Sequence, residues 1–187
     1  MKNMQELITS RLRLRQITIE DWPLFLRIHQ EPDIIRYVFD EPSQKEIMAK
    51  FGILLPAWQA KARQWLCMVV SRIESNEPIG TMAFIITDEQ LHTAEFGYMF
   101  LPEHHGKGYA TEALLAAKHF ALSLGIRKLQ ATVTDGNAGS CRVLEKCGFS
   151  FSQRVKQAYK INNVLYDDLV YVYIDNHRIP PPHNSQL

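Results

Sequence analysis

Tyr98-Met99-Phe100-Leu101-Pro102-Glu103-His104-His105-Gly106-Lys107-Gly108-Tyr109-Ala110-Thr111-Glu112-Ala113 runs strand, break, Gly-x-Gly, helix. A helix leaves its first four amide N–H groups without intrahelical acceptors and carries a positive partial charge at that end. Glycines just ahead of it let the main chain come close to a ligand and turn successive N–H groups toward it. The loop from His105 to Thr111 therefore suits a diphosphate, and Lys107 adds a full positive charge. A tight turn with no ligand remains open for the loop taken alone. Two better-known phosphate loops do not fit. The P-loop spacing Gly-x-x-x-x-Gly-Lys is absent. The dinucleotide fingerprint wants a third glycine where this chain has Thr111, and it usually sits in a first βα turn.

The strand at 94–101 is preceded by strand patterns at 65–71 and 79–87. Turns at Ser75–Pro78 and Asp88–Gln90 are short, which makes these neighbours antiparallel. Further upstream, Leu12 and Leu14 alternate with arginines as a half-exposed strand. Thr18 and Asp21 mark one helix start, and Ser43 with Glu46 forms a capping box for a second helix that Pro56 ends. Downstream, an Ala- and Leu-rich helix over 109–124 stops at Gly125. A strand at 129–134, a helix at 137–146 and a hairpin pairing 149–161 with 165–174 around Asn162-Asn163 follow. This order predicts an α/β (α+β) fold, a mixed and mostly antiparallel central sheet of about seven strands with helices on both faces. Residues 1–174 form one domain, and 175–187 form a polar, Pro-rich tail.

Composition bounds the function classes. The chain has 187 residues, enough for folding to bury roughly 70% of its surface without metal or disulfide staples. Lys plus Arg number 21 against 20 Asp plus Glu, a net charge of +1. That balance excludes a general nucleic-acid or membrane binder, which needs a basic excess. Cys67, Cys141 and Cys147 are scattered and lack CxxC spacing, so neither a disulfide framework nor a zinc site is indicated. His104 and His105 are adjacent in a loop, where side chains diverge, and no third ligand has the spacing of a metal site. No apolar run reaches signal-peptide or membrane-span length, so a cytoplasmic location is the expectation.

The segment 95–113, with Asn137, Ser140, Glu145-Lys146 and Gly148-Phe149 downstream, resembles the GNAT superfamily of acyl-CoA-dependent N-acyltransferases. "GKGYATEA" resembles its coenzyme-A loop, and "NAGSCRVLEKCGF" its following helix and strand. The opening "TSRLRLRQITIEDW" and the ending "YDDLVYVY" resemble the branch of ribosomal-protein alanine N-acetyltransferases. The likeness spans roughly residues 8 to 174. It implies a GNAT-like fold, acetyl-CoA as co-substrate, and direct attack by an amine in a ternary complex. It places the diphosphate on His105, Gly106, Lys107, Gly108, Tyr109, Ala110 and Thr111. It places the pantetheine arm against Phe100, Leu101, Asn137 and Ser140, with a main-chain N–H near Phe100 or Leu101 facing the oxyanion. Two departures stand out. His105 opens the loop where relatives carry Gln, Arg or Trp, and Leu144 stands where many carry a Tyr general acid.

Glu95 is the expected base, because a carboxylate among Ala94, Phe96, Tyr98 and Phe100 needs a partner or a pocket. An exposed-face glutamate is the alternative reading. Ser140 is a candidate proton relay to the thiolate, and also a plausible inert helix serine. Asn137 sits at an ordinary capping position. Cys141 reads as a structural thiol rather than a nucleophile. The resemblance implies an acceptor groove between the N-terminal helices and the last hairpin, where Asp33, Asp40 and Glu41 are nearby acids. The branch favours a protein N-terminal amine; antibiotics, polyamines and amino acids stay open. A non-catalytic acyl-CoA-sensing module is the competing class. Exposed strand edges in such sheets often pair, which allows a homodimer.

Overall fold

Alternation along the central strands sorts the apolar residues onto two faces of one sheet. In the computed structural model, which describes residues 4–60, 63–88 and 92–176, strand β3 (Trp65–Arg72) shows this most clearly. Leu66, Met68 and Val70 point to one core, together with Met82 and Phe84 of β4 (Pro78–Asp88) and Ala113, Leu114 and Ala117 of α4 (Tyr109–Ser123). Cys67 and Val69 point to the other core, against Phe25 and Ile28 of α1 (Trp22–Gln30) and Ile47 and Phe51 of α3 (Gln44–Leu54). A strand buried on both faces reads as a continuous apolar run, as Trp65 to Val70 does.

Among the described residues the sheet has eight strands in the order β1-β2-β3-β4-β5-β6-β8-β7. Besides β3 and β4 these are β1 (Leu7–Ile8), β2 (Leu12–Gln16), β5 (Thr93–Phe100), β6 (Lys128–Thr134), β7 (Ser150–Ile161) and β8 (Val164–Ile174). The mixed, mostly antiparallel sheet with helices on both faces is as the sequence predicts. The eighth strand is β1, whose two residues pair with β2 at the sheet edge and are too short to show alternation. A four-residue α2 (Pro32–Ile35) is also new, with Pro32 preset for a first helical position. Helix α5 (Ala138–Lys146) completes the set. The tail read at 175–187 and the turn at Asp88–Gln90 fall mostly outside the described residues.

Local chemistry explains the boundaries. Ser43 and Glu46 form the capping box, with the Ser43 amide donating to the Glu46 carboxylate at 2.8 Å. Asn162 and Asn163 both adopt positive φ, 49° and 65°, as a tight two-residue hairpin turn demands. Among the described residues only one neighbouring pair is parallel, β5 with β6, because α4 provides the crossover between them. That pair is also incomplete. Pairing runs from Thr93↔Lys128 to Phe96↔Ala131 and stops. Beyond it β5 stays with β4 as far as Gly80↔Phe100, and β6 stays with β8 as far as Thr134↔Asp168. The two halves of the sheet therefore separate, and main-chain polar groups along the gap are left for something else to satisfy.

Candidate active site

The gap has a defined backbone polarity. The Leu101 amide donates to Ile79 O at 3.0 Å, so in the antiparallel ladder Met99 and Gly97 also direct their main chain at β4. Tyr98 and Phe100 then direct theirs into the gap. The two candidate oxyanion donors separate on this point. The Leu101 amide is spent inside the sheet, whereas the Phe100 amide faces the opening. The Phe100 carbonyl is closed off by His105, whose Nε2 donates to it at 2.8 Å. Because a carbonyl only accepts, this bond fixes the His105 proton on Nε2.

At the end of the gap lies the glycine loop. Gly106 and Gly108 have φ of 73° and 79°, conformations costly for residues with a Cβ. Gly108 caps α4 and provides no side-chain acceptor for the first-turn amides of Tyr109, Ala110 and Thr111. Residues 105–108 are exposed. Behind the loop, Arg11 donates to Lys107 O at 3.0 Å, lies over the Tyr109 ring at 4.7 Å and pairs with Glu112 at 2.6 Å. Glu112 also accepts from Thr9, Ser10 and the Arg11 amide. Burial alone would raise its pKa, but these hydrogen bonds hold it below the ordinary carboxylate range. This web fastens the loop to the β1–β2 turn and leaves Lys107 as the exposed cation. Positive-φ glycines, an uncapped helix N-terminus and a free lysine fit a diphosphate. His104 turns the other way, into the protein, with Nε2 3.4 Å from a Glu77 oxygen.

The opposite wall of the gap is α5. Asn137 caps it, accepting from the Ser140 amide at 3.1 Å. The Ser140 hydroxyl donates to the Tyr98 oxygen at 3.1 Å, and the Tyr98 hydroxyl donates to Ser140 O at 3.2 Å. This pair bridges β5 and α5 across the gap. Burial pushes the Tyr98 phenol far above its usual pKa, so it stays neutral. Leu144 is fully buried in the α4–α5 core and also reaches the gap.

A cavity of about 600 Å³ passes through this opening. On the α4–α5 side it touches Asn137, Ser140 and Leu144; on the other it reaches His29 of α1, Lys50 of α3, Tyr159 of β7 and Asp168 of β8. Among the described residues, Asp168 is the one carboxylate lining it and Lys50 the one lysine or arginine. Burial, and then neighbouring Asp167, raise the Asp168 pKa. Burial lowers that of His29 against the opposing pull of the Phe25 carbonyl, and the Lys50 charge adds to the lowering. The Cys67 thiol, also on the cavity wall, is pushed up to about 12 by burial and remains protonated. Tyr159 closes the rim by donating to Val38 O, and Thr134 donates to Tyr37 O at 2.7 Å.

The sequence reading is brought together unevenly. Phe100, the loop residues 105–111, Asn137 and Ser140 converge on the gap. Glu95 does not line the cavity, which begins at Phe96. It is half-buried on the same sheet face as Gly97 and Met99, opposite Ile85. Among the expected acids, Asp33 pairs with Arg36, and Asp40 accepts from the Asn162 amide. Sequence reasoning missed His29, Asp168 and Tyr98. No local pattern sets them apart, since each occupies an ordinary position of a helix or strand. No cluster of His, Cys, Asp or Glu able to hold a metal occurs among the described residues.

A sheet split between its parallel strands, with a glycine loop and a helix N-terminus at the open end, defines an acyl-CoA-dependent N-acyltransferase. The sequence profile of the acetyltransferase (GNAT) domain matches residues 11–150, and the chain belongs to that family. It is a GNAT-type N-acetyltransferase that uses acetyl-CoA and an amine acceptor. The Bacillus subtilis N-acetyltransferase YoaA is 30% identical over 164 residues, 87% of this chain and 93% of that protein. The solved spermidine N-acetyltransferase of Vibrio cholerae, in complex with CoA and spermine, superposes with a TM-score of 0.75 at 23% identity. That match covers 89% of this chain and 96% of the other. A Salmonella typhimurium acetyltransferase that modifies the N-terminal serine of ribosomal protein L7/L12 superposes with a TM-score of 0.78 at 20% identity. It covers 92% of this chain and 100% of the other. At these identities the two structures establish the fold. No helix of the described residues is long and apolar enough to cross a membrane.

Proposed function

We propose that this protein acetylates a primary amine that enters from the α1–α3 face while acetyl-CoA lies on the α4–α5 face, by direct attack in a ternary complex. The observation that carries the reading is the cavity itself, which joins both faces through the β5–β6 gap. Bound with its diphosphate at residues 105–111, acetyl-CoA supplies an acetyl thioester for attack by the amine. The Phe100 N–H is oriented to donate to a developing oxyanion. Ser140, whose hydroxyl donates to Tyr98 in the free protein, turns to pass a proton toward the leaving thiolate in this reading, in the role that Leu144 cannot perform. The protonated state of Cys67 argues against an acyl-cysteine intermediate.

The acceptor is an amine of single charge, and a protein N-terminus fits best. An α-amine with pKa near ~8 costs about 1 kcal/mol to deprotonate at pH 7, against about 4–5 kcal/mol for a lysine-like amine. One carboxylate facing one lysine gives the cavity little net charge. The structural neighbour acting on a ribosomal-protein N-terminus supports this reading, and the spermidine enzyme supports a polyamine instead. Thiol release from acetyl-CoA decides between them. The expected result is turnover with N-terminal peptides in preference to spermidine. Preference for spermidine would overturn the acceptor assignment. Acetyl-CoA binding without thiol release for any amine would leave a sensing module.

A further inference from the structure

His29 lies in α1, on the wall where the amine enters. It is only 4% exposed, yet it contributes to the cavity wall. Its ring lies between Phe25 and Phe39, with centroid separations of 4.0 and 5.4 Å. Nδ1 sits 2.8 Å from Phe25 O, one helical turn back. A carbonyl oxygen can only accept, so Nδ1 must carry a proton. The second ring nitrogen has no protein partner among the described residues. In a neutral imidazole that nitrogen, Nε2, holds the lone pair.

Its surroundings favour the neutral ring. The titratable groups that share the cavity with it are Cys67 of β3, Tyr37 beyond α2, Lys50 of α3, Tyr98 of β5, Tyr159 of β7 and Asp168 of β8. Lys50 opposes a second positive charge, while Asp168 is the one anion there. Apolar burial also disfavours an imidazolium and outweighs the bond to the Phe25 carbonyl, which pulls the other way. The result is a proton acceptor locked in one tautomer on the face where the amine enters.

We propose that His29 Nε2 accepts the proton that the acceptor ammonium must lose, an assignment that rests on the acetyl-transfer reading above. The step balances as R–NH₃⁺ plus neutral imidazole giving R–NH₂ plus imidazolium, after which the imidazolium returns its proton to solvent water. Asp168 draws the ammonium in, and His29 removes the proton. Entry into an apolar cavity lowers the amine's own pKa, which moves the proton donor toward the imidazole.

The test uses the full chain with acetyl-CoA and a peptide N-terminal amine. His29→Phe keeps the aromatic stack and removes Nε2; His29→Gln is the second variant should Phe disturb folding. Each is expected to lose about 100-fold in kcat/KM at pH 7, within the usual range for a general base. The deficit should narrow toward pH 9, where the free amine is largely neutral. Coenzyme-A affinity should stay within about twofold of wild type, because the diphosphate loop lies elsewhere. Nitrogen-15 NMR of the wild-type imidazole supplies a readout independent of turnover: Nδ1 protonated, Nε2 bare, titrating below free histidine. A bare Nδ1, a pH-independent deficit or unchanged kcat/KM would each overturn the assignment. An enzyme that binds acetyl-CoA but acetylates no amine would instead bring down the transfer reading, and this one with it.

Discussion

The α4–α5 face and the α1–α3 face meet at the same gap, but they are built by different means. On the first, the main chain does the gripping: two positive-φ glycines, an open helix N-terminus and the unpaired stretch of β5 present N–H groups. On the second, side chains from positions as distant as 29, 50, 159 and 168 converge on a mostly apolar wall. A grip made of backbone serves one fixed ligand and depends on few residue types. A wall made of side chains can be recast position by position, which suits the variable partner of a two-substrate reaction.

The sharpest way to break this contrast is at Gly108. A Cβ there faces left-handed strain at φ 79°, with the Arg11 guanidinium 3.5 Å away. Gly108→Val should weaken coenzyme-A binding roughly 100-fold, the joint effect of ~1–2 kcal/mol of strain and of misdirected amides. Calorimetry on the folded variant measures it, and unchanged affinity would remove the main-chain grip. Gly97→Leu probes the other side. A Cβ at Gly97 meets nothing within 4 Å, and by register it projects onto the α1–α3 face. The added side chain should raise the acceptor KM about tenfold by filling the cavity, with coenzyme-A affinity kept. Equal losses for both substrates would mean that the two faces are not separate sites.

Smaller effects sharpen the same picture. Asp168→Asn should raise the acceptor KM about fivefold, the scale of a partly screened charge contact. Because burial and Asp167 raise its pKa, the Asp168 charge exists only above that raised value. Wild-type acceptor KM should therefore climb as pH falls through it, while the Asn variant stays flat; parallel profiles would discharge Asp168. Least of all, Glu112→Gln should lower Tm by roughly 2–4 °C near neutral pH. Its folded-state pKa lies below the unfolded value of 4.5, so its contribution is complete above pH 4.5 and disappears as pH falls through the depressed value. The variant and wild type should converge in acid, and a gap that persists there would point to packing rather than charge. Glu95→Gln is ranked behind His29 and Asp168 on geometry, since Glu95 stands outside the cavity lining.

How much could be read in advance follows the same division. The Ser43–Glu46 box, the Asn162-Asn163 turn, the end of α4 at Gly125 and the loop at 105–111 were legible because each is settled within a few residues by caps, φ preferences or missing side chains. β1 and α2 were not, being two and four residues long with no periodicity to detect. Glu95 stood out as an acid in an apolar strand, but a period of two says which face a residue takes, not which cavity it reaches. His29 looked like any helix residue. Only its bond to Phe25 O and its place between two rings make it distinctive.

The amino-acid order alone thus determined the succession of elements, the sheet's mixed character, the family likeness and the main-chain cradle, since these rest on short-range conformational preferences and on glycine's missing Cβ. Folding in three dimensions decided where β5 parts from β6, which amide turns into the opening, and which acid and which imidazole face the incoming amine. Those outcomes depend on register and burial between residues distant in the chain, from Ile79 and Leu101 to His29 and Asp168, and no local pattern carries that information.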